Sequence, residues 1–131
     1  KFTSLAALIV AITFFVSPSR GADDYTTVAD KAIKFLESSQ NEDGSWGNEK
    51  NKRGVTGIVL AGLVKSGRVK NDSPTVKKAL KYIEGLVNEK GHIAGPEAAV
   101  QLQNYVTSVN IVALQATDPV KYKPLIEKAT A

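Results

Sequence analysis

Residues 31–46 read KAIKFLESSQNEDGSW, and this stretch decides the interpretation of the whole chain. Its first half continues a pattern in which apolar residues recur every three or four positions, which predicts one buried helix face. Its second half carries asparagine, aspartate, glycine and serine, which are typical of turns. The sequence therefore predicts a helix that ends in a tight turn. Thr27 is the expected N-cap, and the buried stripe is expected to be Val28, Ala32, Phe35 and Leu36.

A second copy of this stretch lies 47 residues further along the chain, where residues 78–91 read KALKYIEGLVNEKG. Residues 28–44 and 75–91 are identical at seven of 17 positions. A repeat of this length indicates a helix pair, a unit that cannot bury its apolar face without neighbours. The copy is degenerate, because Val87 replaces Gln40 and Ile93 replaces Trp46, while Gly91 keeps the place of Gly44.

Two further helices are predicted at about residues 55–65 and 105–115, and these are apolar nearly all round. Such helices are expected to be buried on all sides. Gly67 is the expected C-terminal cap of the first of them. Because these runs are rich in β-branched residues, a strand at 55–60 or 109–114 is the alternative.

Two helix starts have a cap residue followed by proline: Ser73-Pro74 and Asp118-Pro119. In the first of these helices, Val76, Ala79, Leu80, Ile83 and Val87 form the expected buried stripe. One-sided and wholly apolar helices thus alternate along the chain. This order predicts an all-α fold of two layers, a partial α/α toroid (α/α barrel) of helix-pair repeats, with two and a half helix pairs in residues 22–131.

Residues 1–21 have the pattern of an export signal. Lys1 precedes the apolar run of residues 5–16, and a cut after Gly21 would leave small residues at the positions that signal peptidases require. The run is short for a membrane span. We expect a cleaved signal peptide and an exported chain, periplasmic or secreted. An uncleaved membrane anchor at residues 5–16 and a buried helix are the alternatives.

The segment from Lys31 to Trp46 resembles the QW motif of squalene and hopene cyclases and related prenyltransferase-like repeats. In that motif, a helix ends in glutamine and is followed by a short loop with glycine and tryptophan, and here Gln40, Asp43, Gly44 and Trp46 stand in that order. The resemblance covers residues 27–131. It implies that the amide of Gln40 tethers the helix end to a neighbouring helix and that the Trp46 ring packs against it. The motif is a structural device rather than a catalytic one.

Catalytic groups of that family have no counterpart in this sequence. Its cyclases use an Asp-x-Asp-Asp cluster, which is absent, and Asp23-Asp24 is expected to solvate a terminus. Its protein prenyltransferases use a zinc ion bound by Asp, Cys and His, but the chain has no cysteine and one histidine. We expect His92 to be an exposed loop residue, and we expect no cofactor and no metal. A third repeat after residue 131 is also expected, so that this is the N-terminal part of a longer protein.

A cavity rim is the remaining candidate for a binding site. The connection from Gly91 to Gln103 is long, and Gln103, Asn104 and Tyr105 follow it where the mouth of a toroid would lie. A solvated crossover is the alternative for that connection. Asn110 lies in an otherwise apolar helix and is expected to pair with a neighbouring helix or to face the cavity.

Two functions fit these features. The first is an exported, non-catalytic repeat scaffold that binds an unknown small molecule, lipid or protein. The second is the N-terminal part of a terpene cyclase-type enzyme that acts on a polyprenyl or triterpene substrate. The net charge of +4 includes Lys1 and Arg20 and forms no basic stripe, so a nucleic-acid partner is not expected. Membrane contact is expected only through an uncleaved signal segment.

Overall fold

The structure, a computed structural model, describes residues 20–96 and 100–131. The helices in these ranges are α1 Arg20–Ser38, α2 Lys52–Lys65, α3 Pro74–Glu84, α4 Val100–Thr117 and α5 Lys123–Thr130. Extended pairing in the described residues is an isolated bridge between Val87 and Ile93. The all-α class is therefore confirmed, and residues 55–60 and 109–114 are helical rather than strands. The predicted signal segment lies outside the described residues, except for its last two positions, which begin α1.

Helix α3 follows its prediction closely. The Oγ atom of Ser73 accepts a hydrogen bond from the Val76 amide at 3.3 Å, and proline occupies the first turn. This cap satisfies one of the amides that a helix start leaves without a partner. Val76, Ala79 and Ile83 are fully buried and Leu80 is half-buried, so the helix contributes most of its predicted stripe to the core. Val87, the last predicted member, lies beyond the helix end at Glu84.

Helix α5 begins later than predicted. Asp118 accepts a hydrogen bond from the Lys121 amide at 2.9 Å, but this cap starts a single turn, and the helix proper begins at Lys123. Pro124 has no N–H group to continue the hydrogen-bond ladder from that turn, which explains the break. Tyr122, at the junction, is only 3% exposed and anchors the turn to the core.

Helix α1 corrects two predictions. It extends back to Arg20, so Thr27 lies inside the helix rather than at its start, because no proline interrupts the intervening residues. Val28 and Phe35 are 59% and 68% exposed and Ala32 is exposed as well, which contradicts their assignment to a buried stripe. The contact with the core is made on a neighbouring face that includes the half-buried Leu36.

Helices α2 and α4 pack side by side and run parallel. An added Cβ on Gly54 would contact Tyr105 and Val106, whereas one on Gly57 would lie about a turn further along α4, 3.0 Å from the backbone of Val109. These two glycines therefore let the helices approach closely. The predicted C-terminal glycine of α2 is confirmed, since Gly67 has φ +69° and donates to the Val64 carbonyl at 3.1 Å.

The prediction that α2 and α4 are buried on all sides is wrong. Ile58 in α2 is 50% exposed, and Tyr105 and Val112 in α4 are 54% and 42% exposed. Apolar composition does not ensure burial when no element packs on that side of a helix, and the exposure of these three side chains shows that their side is open among the described residues. The core lies on the other faces. It combines residues from α2, α3, α4 and the connecting turns: Trp46, Leu60, Leu63, Val76, Ala79, Ile83, Leu86, Ile93, Ala113, Leu114 and Tyr122.

A polar cluster joins α3 to the turn before α5. Glu84 accepts hydrogen bonds from the Tyr122 hydroxyl at 2.7 Å and from the Lys121 ammonium at 3.0 Å. Desolvation opposes ionisation of Glu84, but these two donors outweigh it and hold the pKa of its carboxyl below its usual 4.5.

We expect Glu84→Gln to reduce the acid sensitivity of the fold. A lowered pKa means that the Glu84 contribution to stability is present above pH 4.5 and is lost as the pH falls through the folded-state pKa. Urea unfolding at a series of pH values should therefore show a steeper acid loss for the wild type than for the variant. Glu89→Gln, at an exposed position, controls for the loss of one charge. Identical acid profiles for wild type and Glu84→Gln would contradict the assignment.

Candidate functional site

The turn after α1 is held by the side chain of Gln40. Its Nε2 atom donates to the Gly44 carbonyl at 3.0 Å and to the Thr75 carbonyl at 2.9 Å. Thr75 belongs to the first turn of α3, so one amide group joins the end of α1, the turn and α3. This is the tether that the resemblance implies for Gln40.

Trp46 fixes the same turn from the inside. Its ring is 3% exposed, and its Nε1 atom donates to the Leu36 carbonyl in α1 at 2.6 Å. Its backbone amide donates to the Oγ1 atom of Thr56 in α2 at 3.0 Å, and that hydroxyl in turn donates to the Lys52 carbonyl at 2.6 Å. A buried tryptophan thus contributes a large apolar area while its polar atom is satisfied.

Asp43 and Gly44 set the shape of the turn. Asp43 accepts from the Ser45 hydroxyl at 2.6 Å and from the Ser45 amide at 3.0 Å, and it forms an ion pair with Lys52 at 3.1 Å. The hydrogen bond from the Ser45 hydroxyl is the main reason why the pKa of Asp43 is lowered. Gly44 has φ +88°, and a Cβ there would lie 2.4 Å from the Lys78 carbonyl oxygen of α3. All four motif residues therefore act in one turn, in structural roles.

The degenerate copy folds into the same turn. The Asn41 amide donates to the Ser45 carbonyl at 2.9 Å in the first turn, and the Asn88 amide donates to the His92 carbonyl at 2.9 Å in the second. The second glycine, Gly91, has φ +90°, close to the value in the first turn.

The position after each turn is held by a threonine hydroxyl. The Ile93 amide donates to Thr107 Oγ1 at 3.1 Å, as the Trp46 amide does to Thr56. The internal repeat is thus present in the backbone and not only in the sequence.

A groove between the N-terminal parts of α2 and α4 is the main candidate for a binding site. Its volume is about 580 Å³. The apolar residues on its surface include three large exposed side chains, Ile58, Leu102 and Tyr105, which lie 50%, 57% and 54% exposed. The charged residues of its lining are Glu49, Lys50 and Arg53. A groove with apolar walls and charged residues at one end is suited to an amphipathic ligand.

The four predicted rim residues are not brought together. Tyr105 lines the groove, whereas Asn104 lines a different cavity and Gln103 is half-buried. Because α4 starts at Val100, Gln103 and Asn104 are helical and do not belong to a long loop.

Asn110 is fully buried and pairs with a neighbouring segment rather than facing a cavity. Its Nδ2 atom donates to the Ile93 carbonyl at 2.8 Å. Its Oδ1 atom has no hydrogen-bond donor among the described residues and faces Gly57.

His92 is half-buried, which corrects the expectation of an exposed loop residue. The turn of residues 88–92 directs its ring into a cavity of about 240 Å³, where it lies beside Asn104 and Ser108 of α4 and Thr130 of α5. Its Nδ1 atom is buried and has no hydrogen-bond partner in the described part of the chain.

Two properties of the described residues bear on metal binding and on membrane insertion. They contain no group of three or more His, Cys, Asp or Glu side chains that could hold a metal ion. Among them there is also no helix that is long and apolar enough to cross a membrane. The groove between α2 and α4 thus offers a ligand apolar walls and charged groups, and the cavity beside His92 offers imidazole, amide and hydroxyl groups.

Sequence reasoning missed the charged end of the groove. Lys50 and Arg53 belong to no predicted site, because no spacing in the sequence links them to Leu102. A usable signal was the polar and charged run of residues 48–53 directly before the apolar helix. Such a run places charged side chains at the end of any groove that the helix lines. The comparisons add no relative to this picture, since no family model, curated protein or solved structure matches the chain.

Proposed function

We propose that this chain is an exported, non-catalytic repeat scaffold of the squalene cyclase and prenyltransferase-like type, and that it binds an apolar-chain ligand in the groove between α2 and α4. The groove is the observation that carries the proposal. Large apolar side chains are kept exposed there, and an exposed apolar surface with polar residues at its edge is typical of a ligand or partner site.

The partial α/α toroid is part of the same proposal. Two turns with the same hydrogen bonds separate the one-sided helices α1 and α3 from the parallel helices α2 and α4. That order supports an inner layer of α2 and α4 and an outer layer of α1, α3 and α5. The groove would then be part of the inner wall of the toroid.

The ligand class follows from the lining of the groove. Ile58, Leu102 and Val106 can contact an alkyl or isoprenoid chain, and Lys50 and Arg53 lie where a polar or anionic end group would emerge. Burial of apolar ligand area would supply most of the affinity, at about 25 cal/mol per Å² before the costs of association are subtracted.

A fluorescent fatty-acid analogue, dansyl-undecanoic acid, tests this binding with the full chain. We expect saturable binding that weakens about tenfold or more, a loss of at least about 1.4 kcal/mol, for Ile58→Asp and for Leu102→Asp. Both positions are exposed, so the fold should tolerate the substitutions. Val120→Asp, at a position 84% exposed outside the groove, is the matched control and should bind like the wild type. Equal affinity for all four proteins would overturn the assignment of the groove.

The alternative, the N-terminal part of a terpene cyclase-type enzyme, is favoured by the same apolar lining, which would suit a polyprenyl or triterpene chain. Incubation of the chain with squalene and with a polyprenyl diphosphate, followed by mass spectrometry of the extracted lipids, separates the two proposals. A cyclised or otherwise converted product would favour the enzyme, and binding without conversion would favour the scaffold.

Export rests on residues 1–21 and has its own test. Mass spectrometry of the chain secreted by a bacterial host should show a mature N-terminus at Ala22, and replacing Gly21 by a bulky residue such as tryptophan should block that cleavage. A full-length chain that remains in the membrane fraction would instead support an anchor at residues 5–16.

A further inference from the structure

The charged end of the groove between α2 and α4 has more positive than negative charge. Among the described residues of the lining, the charged ones are Glu49, Lys50 and Arg53, which contribute one negative and two positive charges. The carboxylate of Glu49 is already bound, because it accepts a hydrogen bond from the Lys52 ammonium at 2.7 Å. Lys52 does not line the groove. A ligand therefore meets a net positive charge at this end.

Lys52 holds the Glu49 carboxylate from the side of the first turn. Its ammonium group also donates to Asp43 at 3.1 Å and lies 6.0 Å from the centre of the Tyr82 ring in α3. The hydrogen bonds to Glu49 and to Asp43 raise the pKa of Lys52 well above its usual 10.5, so this lysine stays charged wherever a carboxylate ligand is ionised. The negative charge of Glu49 is thus balanced from outside the groove.

Arg53 is positioned by the segment after the second turn. A Cβ added to Gly95 would lie 3.4 Å from the Nε atom and 3.8 Å from the Cδ atom of Arg53, so this side chain runs along the glycine. Gly95 has φ +75°, and its amide donates to the Leu86 carbonyl at 2.7 Å. Arg53 itself is half-buried. A guanidinium group that is held before the ligand arrives loses little conformational entropy on binding.

The same segment is attached to α4 through both backbone groups of Ile93. The Ile93 amide donates to Thr107 Oγ1 at 3.1 Å, and the Ile93 carbonyl accepts from Asn110 Nδ2 at 2.8 Å. Because α4 forms the second wall of the groove, Arg53 on the first wall is positioned by groups that belong to the second. The place of the guanidinium group is therefore linked to the geometry of the groove.

The internal repeat shows that the fold does not need positive charges at these positions. An offset of 51 residues pairs the threonines that hold the two turns. The same offset places Asn104 opposite Arg53 and Gln101 opposite Lys50. Both counterparts are uncharged, although the second turn has the same hydrogen bonds as the first. The charges at the end of the groove are thus not a requirement of the repeat, which favours a role in binding.

We propose that the ligand of the groove is an aliphatic monocarboxylate and that Arg53 is the residue that determines this specificity; this rests on the groove being the binding site, as proposed above. The N–H groups of a guanidinium match the two oxygens of a carboxylate. The alkyl chain would then extend along Ile58 and Leu102. An excess of one positive charge balances a monoanion, whereas a phosphate monoester carries about −1.5 to −2 at neutral pH.

Displacement of N-phenyl-1-naphthylamine, an uncharged fluorescent probe of apolar sites, tests the head group with the full chain. The competitors are decanoate, 1-decanol, decylamine and decyl phosphate, which share one alkyl chain and differ in the head group. We expect decanoate to bind at least about tenfold more tightly than 1-decanol, a difference of about 1.4 kcal/mol. Decylamine should bind more weakly than 1-decanol, and decyl phosphate no more tightly than decanoate.

Variants of the charged end identify the residue that reads the head group. Arg53→Gln should lower the affinity for decanoate about tenfold and leave that for 1-decanol unchanged. Arg53→Lys keeps the charge without the planar fork and should show an intermediate preference. Lys70→Gln removes one positive charge at an exposed position outside the groove and should behave like the wild type. The ratio of the two affinities is the readout, because a disturbed fold would weaken both ligands alike.

Equal affinities for decanoate and 1-decanol, or an unchanged preference in Arg53→Gln, would overturn the carboxylate assignment while binding in the groove would stand. A preference of about tenfold for decyl phosphate over decanoate would also overturn it, in favour of a phosphate head group. Failure of the probe to bind, or undiminished probe binding by Ile58→Asp, would instead contradict the groove as the binding site, and the head-group assignment with it. The two proposals therefore fail by different results.

Discussion

Gly44→Ala is expected to destabilise the fold by about 3 kcal/mol, the sum of two separate costs. The first is conformational, because Gly44 has φ +88°, a region that costs an L-residue with a side chain about 1–2 kcal/mol. The second is steric, because the added Cβ would lie 2.4 Å from the Lys78 carbonyl oxygen, and backbone cannot move aside as a flexible side chain can. Urea unfolding followed by the fluorescence of the single tryptophan, Trp46, measures the loss.

Gly67→Ala is the matched control for this prediction. Gly67 also has a positive φ, +69°, but an added Cβ there meets no atom within 4 Å. Only the conformational cost remains, so we expect a loss of about 1 kcal/mol. Equal destabilisation by the two substitutions would show that the close contact with α3 contributes nothing.

Trp46→Ala is expected to be the most damaging single substitution in the first repeat, at about 3–5 kcal/mol. The ring is 3% exposed and belongs to the core, and its Nε1 atom holds the Leu36 carbonyl at 2.6 Å. Among the described residues α1 packs only weakly on the other helices, so the loss should release this helix first. Amide hydrogen exchange should show faster exchange in residues 29–38 than in α3.

Two controls separate the ring of Trp46 from its hydrogen bond. Trp46→Phe retains most of the apolar ring but removes the hydrogen bond from Nε1, so that the Leu36 carbonyl keeps only the longer one from the Ser39 hydroxyl at 3.1 Å. It should cost about 1–3 kcal/mol, for the lost hydrogen bond and the lost ring volume. Phe35→Ala removes an aromatic ring of α1 that is 68% exposed, and it should change stability by no more than about 0.5 kcal/mol. If Phe35→Ala is as damaging as Trp46→Ala, then the exposed face of α1 carries more of the packing than the structure indicates.

Local sequence signals correctly predicted the features that depend on interactions within a single turn. The cap at Ser73, the proline that follows it and the glycine at the end of α2 act within one turn, and the structure has them where they were predicted. The turn after α1 was also predictable, since only glycine fits the backbone of Gly44 without strain. Asp118 led to a wrong start for α5. It does cap a turn, as predicted, but Pro124 interrupts the hydrogen bonds after that single turn, and the helix begins at Lys123.

The parts that could not be predicted depend on which neighbours a helix has. Composition shows that α2 and α4 are apolar, but it does not show that Ile58 and Tyr105 remain exposed along the groove. The same reason explains the error for Phe35, whose helical spacing fits a buried stripe although no element covers it among the described residues. Periodicity predicts which residues share a face and not whether that face is covered.

Single polar residues inside otherwise apolar surroundings were the hardest to place. Asn110 was expected to pair with a helix, yet its partner is the Ile93 carbonyl in the segment after the second turn. His92 was expected in solvent, yet the turn that positions it is a copy of the first one, in which the corresponding Ser45 is buried. Aligning the two turns in the sequence would have predicted at least partial burial for His92.

The second turn has a consequence for how divergent repeats are detected. It keeps its shape although both signature side chains have been replaced, because its hydrogen bonds run between backbone groups, Asn88 and the hydroxyl of Thr107. Mutational drift can therefore erase the glutamine and the tryptophan while asparagine, glycine and threonine remain under constraint. A search profile that weights those three residue types should find divergent repeats in other genomes that a profile built on glutamine and tryptophan overlooks.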